Sequence, residues 1–139
     1  MTLRHKSREF ALQMLFEWDM THAQPASVER SFWKSARAAD DTRKFANRLF
    51  EGAVAQAETA DVLIGQLSTN WRIERIPAID RSILRLAIHE LRSGSAPPKA
   101  VIDEALELAK TFSTADAPAF LNGILDAALK SLEKASPAG

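Results

Sequence analysis

The amino-acid sequence predicts an all-α protein, two packed three-helix bundles making a single domain. Three observations carry this. Apolar residues recur every three to four positions along most of the 139-residue chain. Glycine is scarce, and proline sits between the periodic segments rather than inside them. No stretch shows the β-branched alternation of a half-buried strand. The length fits one domain with a sizeable core.

Residues 1–6 read as a short basic arm. From about Ser7 to about Met20 a helix places Ala11, Leu15 and Trp18 on one stripe, widened by Phe10 and Met14. The segment from Thr21 to Pro25 breaks it. Ser27 suits the N-cap of a short second helix carrying Val28, Phe32 and Trp33. Asp40 and Asp41 suit the positive end of a third helix. Its apolar positions, Phe45, Leu49, Ala53, Ala57, Ala60, Ile64 and Leu67, extend over about seven turns. Gly52 inside it weakens the helix by about 1 kcal/mol relative to Ala, which points to a close helix approach there.

The stretch WRIERIPAIDRSILRLAIHEL, Trp71 to Leu91, organises the chain. Trp71 and Ile73 pack where the chain enters, and Pro77 suits the first helical turn. Ile79, Ile83, Ala87 and Leu91 form one stripe with Leu84 and Ile88 beside it. Leu86 lies off that stripe, so the apolar face is wide and the helix central. After the loop RSGSAPP, a fifth helix has Val101, Ala105, Leu108 and Phe112 on one face. A last helix from Pro118 turns Leu121, Leu125, Ala128 and Leu132 inward, and residues 133–139 fray. The helices group as about 1–68 and about 70–132. Each group is near the size limit for independent stability, so the two need not be separable domains.

Composition narrows the function. With no cysteine, disulfides and thiolate metal sites are excluded. Lys and Arg balance Asp and Glu at 18 each, so any nucleic-acid site is a local patch. No apolar run reaches the roughly 20 residues needed to span a bilayer, and the N-terminus lacks a signal-peptide core. His5, His22 and His89 lie at no metal-ligand spacing, and glycine-rich phosphate loops and nucleophile elbows are missing. Carboxylates such as Asp103, Glu104 and Glu107 read as a solvated helix face. The sequence therefore predicts no enzyme, cofactor or metal.

Arg4, His5, Lys6 and Arg8 are the one concentrated basic feature. They read either as a solvated terminus or as phosphate contacts to RNA or DNA. Phe16, about two turns after Arg8, reads either as core or as a base-stacking platform. Asp80 and Arg81 read as a cap or a surface ion pair. Asn122 and Gly123 read as a tightly packed turn of the last helix, with Asn122 bonding a loop carbonyl. Asp116 reads as a cap for that helix.

The runs SREFALQMLFEWD, DRSILRLAIHEL, VIDEALELAKTF and FLNGILD, with the loop ending in PP, stand in the order and spacing of the NusB family, which the chain resembles from about Arg4 to about Leu132. The resemblance implies two three-helix bundles packed together. It implies binding of boxA-type RNA together with the small-subunit ribosomal protein that acts as NusE, within the RNA polymerase antitermination complex. Support of ribosomal RNA transcription in the cytoplasm follows from it, and self-association of the free protein is compatible with it. It implies RNA contacts for Arg4, His5, Lys6, Arg8, Phe16, Asp116 and Asn122, and partner contacts for Asp80 and Arg81. The chain departs from the family at several positions. Its basic run is diluted, Phe16 and His89 stand where Tyr is frequent, Asp103 where Asn is common, and Leu121 in place of Val. Phe16 keeps stacking but lacks a hydroxyl. Two other readings remain: a helical interaction module that has lost RNA binding, and an RNA-binding domain related to the N-terminal part of rRNA cytosine methyltransferases, for which the chain leaves no room after the helices.

Overall fold

The computed structural model describes residues 3–68 and 72–135. Among them every element is helical: α1 (Leu3–Thr21), α2 (Pro25–Ser35), α3 (Asp40–Ala55), α4 (Ala57–Leu67), α5 (Ala78–Ser93), α6 (Pro98–Phe112) and α7 (Ala117–Ala135), with a single 3-10 turn, Ile73–Arg75, before α5. The all-α expectation is met. Several boundaries move for local reasons. The basic residues 4–6 are helical, because α1 begins at Leu3 and not at Ser7. In α2 the first turn starts at Pro25, whose fixed φ suits it, so Gln24 rather than Ser27 is the N-cap. Pro77 is the cap of α5 and lies just outside the helix. The last helix starts one residue early and continues through Ala135. Trp71 and the end of the expected frayed tail lie outside the described residues.

The single long third helix is two. At Gln56 the backbone leaves the helical region (φ −106°, ψ 8°), ending α3 and starting α4. The hydrogen bonds flanking this point persist: Gln56 N–H donates to Gly52 O at 3.2 Å, and Ala60 N–H to Gln56 O at 2.9 Å. The apolar spacing therefore runs through the bend and hides it. The His89 imidazole lies against Gly52 where any Cβ would stand, which makes this the expected close approach. Nδ1 of that ring lies 3.3 Å from Gln56 Oε1. Burial lowers the His89 pKa, so the wedge is a neutral ring. Past the bend, α4 packs on α5 and α7, whereas α1, α2 and α3 pack on one another.

α5 is the centre. It packs on α1, α3, α4, α6 and α7, and one continuous apolar cluster joins both halves of the chain around it. Ile83, Leu84, Leu86, Ala87 and Ile88 are buried, so the wide face read from Leu86 is real. α2 is held differently. Phe10, Phe32 and Trp33 meet edge to face with centroids 4.9–5.7 Å apart, and Trp33 Nε1 donates to Asn47 Oδ1 at 2.8 Å.

Ion pairs also tie α5 to its neighbours. Arg8 donates through Nε and Nη2 to the two oxygens of Glu90, both at 2.8 Å, with the residues only 6% and 2% exposed. Burial alone would lower the Arg8 pKa, but the bonds and charge of Glu90, with Glu104 behind, leave it raised. Asp19 of α1 accepts from Arg81 at 2.8 Å and from Arg85 at 3.0 Å, and Arg85 makes a second bidentate pair with Asp61 of α4 at 2.8 Å. Burial would raise the Asp19 pKa, but the two guanidinia hold it below the usual carboxylate range.

One contact works against the fold. Glu29 of α2 faces Glu51 of α3, and burial together with that second carboxylate pushes its pKa from 4.5 to about 7, despite Arg43 nearby. Folded, Glu29 keeps its proton up to about pH 7; unfolded, only to about 4.5. Between these values the folded state binds more protons, so this group makes stability fall as pH rises.

Three outcomes are expected. Leu84→Ala lowers stability by about 2–5 kcal/mol through lost burial and a cavity, and a denaturant midpoint unchanged within error would show α5 is not central. Arg8→Ala strands the Glu90 carboxylate and lowers stability by about 3–5 kcal/mol; a loss no larger than that of a surface substitution in the same urea titration would overturn the structural role. Glu29→Gln removes the repelling charge and raises stability at pH 8 by about 1 kcal/mol, discounted because solvent screens the pair. Thermal melts across pH 4.5–8 should show a flatter profile than the parent, and parallel profiles would refute the coupling.

Candidate nucleic-acid interface

The first two turns of α1 distribute the basic run over three surfaces. Ser7 and Arg8 point inward, Ser7 Oγ donating to Thr42 O at 2.9 Å. His5 is buried, its Nδ1 2.6 Å from Glu104 Oε2 of α6 and its Nε2 3.4 Å from Glu9. Lys6 is exposed, 3.2 Å from Glu9 and 5.0 Å from the Phe10 ring. Arg4 is exposed and stacks over the Phe45 ring of α3 at 4.3 Å. The expectation of a solvated basic arm is thus corrected: α-helical spacing carries His5 and Arg8 into the α5–α6 side and commits both to carboxylates. Arg8 has two of its three guanidinium nitrogens engaged with Glu90, so it presents no open fork to a phosphate.

Phe16 is 38% exposed rather than core. With Gln13, Pro77, Ala78, Ile79 and Phe112 it lines an open apolar groove of about 500 Å³. Beside it, sharing Pro77, is a smaller groove of about 240 Å³ that includes Asp80, Asp116 and Phe120. Asp116 is exposed in the turn before α7, and its carbonyl accepts from Phe120 N–H at 3.4 Å. Asn122 is exposed on α7. The loop-carbonyl bond expected of Asn122 is not formed among the described residues, and the tight packing expected at Gly123 is absent, since nothing stands within 4 Å of a Cβ there.

Asp80 and Arg81 were expected at the surface as a cap or ion pair. Asp80 is only 4% exposed and accepts from Ser113 Oγ at 2.6 Å. Besides its pair with Asp19, Arg81 donates to Ile76 O at 3.0 Å and Ile73 O at 3.4 Å. Both therefore brace the chain entering α5 and the start of the α6–α7 loop.

One cluster was missed. Between α1 and α3 lies a cleft of about 390 Å³ lined by Arg4, Ser7, Asp41, Thr42, Lys44, Phe45 and Arg48. Lys44 and Arg48 lie four residues apart and share a helix face, a signal available in the sequence but masked by reading Phe45 only as core.

Comparison with known proteins agrees with this arrangement. Residues 5–130 match the family model for the NusB family. The transcription antitermination protein NusB of Symbiobacterium thermophilum is 40% identical over 144 aligned positions, covering 97% of this chain and 94% of that protein. The NusB of Koribacter versatilis is 42% identical, covering 94% and 90%. A crystal structure of antitermination factors NusB and NusE in complex with dsRNA contains a chain that superposes with a TM-score of 0.85 at 27% identity, covering 94% of this chain and 98% of that one. With the family match, the near-complete coverage and the shared helical architecture all in agreement, the chain belongs to the NusB family.

Proposed function

We propose that this protein is a transcription antitermination factor that binds boxA-type RNA together with the small-subunit ribosomal protein acting as NusE. It works within the RNA polymerase antitermination complex in the cytoplasm and supports ribosomal RNA transcription by binding, not by catalysis. The observation that carries this reading is the near-full-length likeness to a chain of a crystallised complex of NusB and NusE with dsRNA. No helix among the described residues is long and apolar enough to cross a membrane.

In this reading Arg4 and Lys6 supply phosphate contacts from the exposed side of α1. Phe16 and Asn122 contribute from the surface, Phe16 offering an exposed ring to a base. His5 and Arg8 act one step back, fixing α1 so that its outward cations keep their places. Asp80 and Arg81 serve the partner in the same indirect way, by bracing Pro77 and Ile79 at the grooves where a protein surface would settle. A second reading, a helical interaction module without RNA binding, is favoured by one observation: His5 and Arg8 are both engaged by internal carboxylates.

Gel shift with boxA RNA, with and without the ribosomal protein, separates the two. The proposed function requires a shift that the partner strengthens, and a partner complex that leaves RNA unbound would select the second reading. Asp116 gives a finer test. Its exposed carboxylate, near bound phosphates, would oppose RNA by repulsion screened over roughly 8–10 Å. Asp116→Asn is expected to leave the melt nearly unchanged and to tighten RNA binding, most at low salt. Equal or weaker affinity at low salt, with the fold intact, would remove Asp116 from the RNA face.

A further inference from the structure

We propose that the cleft between α1 and α3 carries the phosphate-binding surface from Arg4 onto α3, as a clamp for the sugar-phosphate backbone formed by Arg4, Lys44 and Arg48 around Phe45. The inference rests on the RNA-binding reading and extends it to α3.

The cations are arranged for a ligand outside the fold. Arg4 and Arg48 sit over the Phe45 ring, at 4.3 and 5.7 Å from its centroid. Neither they nor Lys44 forms an ion pair among the described residues. All three are exposed. This contrasts with Arg8, Arg81 and Arg85, each locked to a carboxylate within the protein. Among the described residues Asp41 is the one acid lining the cleft, leaving three cations against one carboxylate. A guanidinium lying over a ring is held in position by the ring, while its N–H edge stays open for a phosphate oxygen. Two such groups and an ammonium around one concavity therefore select a polyanion.

The same geometry says what the cleft reads. Phe45 has guanidinia over its ring, so it is not an open platform for a base. Ser7 is committed to Thr42 O, so its hydroxyl proton is not available to a base edge. What remains exposed is positive charge. The cleft grips phosphates and not sequence, adding length to the RNA footprint without adding specificity. A linear single strand is favoured over a small anion because the cations line an open cleft and make no closed cage.

The test uses the full chain with Lys44→Ala and Arg48→Ala combined. Both side chains are exposed, and an unchanged thermal melt checks that the fold survives. Fluorescence anisotropy is read with a boxA-containing single strand and with a longer strand of the same segment in scrambled flanks, over a salt series. Loss of two phosphate contacts is expected to weaken binding about 5–30-fold at low salt and to flatten the log–log salt slope by roughly 0.7 per contact. The loss should be the same whatever the flanking sequence. Wild-type affinity and slope in the double variant would overturn the clamp while leaving the RNA reading intact. Failure of the parent chain to bind either RNA, alone or with the ribosomal partner, would overturn both. Normal RNA binding with a weakened protein partner complex would overturn the clamp and assign the cleft to an acidic protein surface.

Discussion

Arg8 and Glu90 face each other where little of either side chain reaches water, and much of the molecule follows from that meeting. Either group alone in that position would face a desolvation penalty of several kcal/mol. Together they fix the rotation of α1 against α5. Once Arg8 faces Glu90, helical spacing sends His5 to Glu104 on α6, Ser7 to the Thr42 carbonyl on α3, and Arg4 to the Phe45 ring. Lys6 is left outward. A buried pair of this kind adds little net stability over an apolar one, but it specifies a single packing of the two helices, because any other rotation strands a charge.

α5 imposes the complementary demand. It is buried along nearly all its circumference, yet carries Asp80, Arg85 and Glu90 inside. Each has a partner on another element: Ser113 for Asp80, Asp19 and Asp61 for Arg85, Arg8 for Glu90. The polar groups divide the work with the apolar stripe. Ile83, Leu84 and Ile88 supply the burial, while the charged residues decide which neighbour meets which turn. The neutral His89 ring completes this on α3, where only glycine leaves it room.

The elements were legible because apolar periodicity is local. The wide face of α5 could be read from Leu86, and the close approach at Gly52 from the anomaly of glycine inside a helix. What the sequence hid is of two kinds. The bend at Gln56 keeps helical hydrogen bonds on either side, so the period passes through it unbroken. The partners of Arg8, Asp80 and Arg81 lie tens of residues away, and residue type alone does not say whether an arginine faces a phosphate or an internal carboxylate. The basic run therefore read as one feature, although a helix divides such a run among different surfaces. The α1–α3 cleft escaped for the opposite reason. Lys44 and Arg48 share a face of α3, but Arg4 lies on α1, and only packing brings it to them.

That sorting explains how a chain with 18 basic and 18 acidic residues can hold a local positive surface. Arg8, Arg81 and Arg85 are matched by Glu90, Asp19 and Asp61, so these charges cancel within the fold and add almost nothing to the outer field. The field near any surface then depends on the few charges left within about a Debye length of it. Around Phe45 these are Arg4, Lys44 and Arg48 against Asp41. Around Pro77 they are acidic, Asp116 being exposed and Asp80 nearly covered. Net charge is therefore the wrong quantity from which to judge polyanion binding here. The relevant one is which cations the interior has already claimed, and α1 answers it residue by residue.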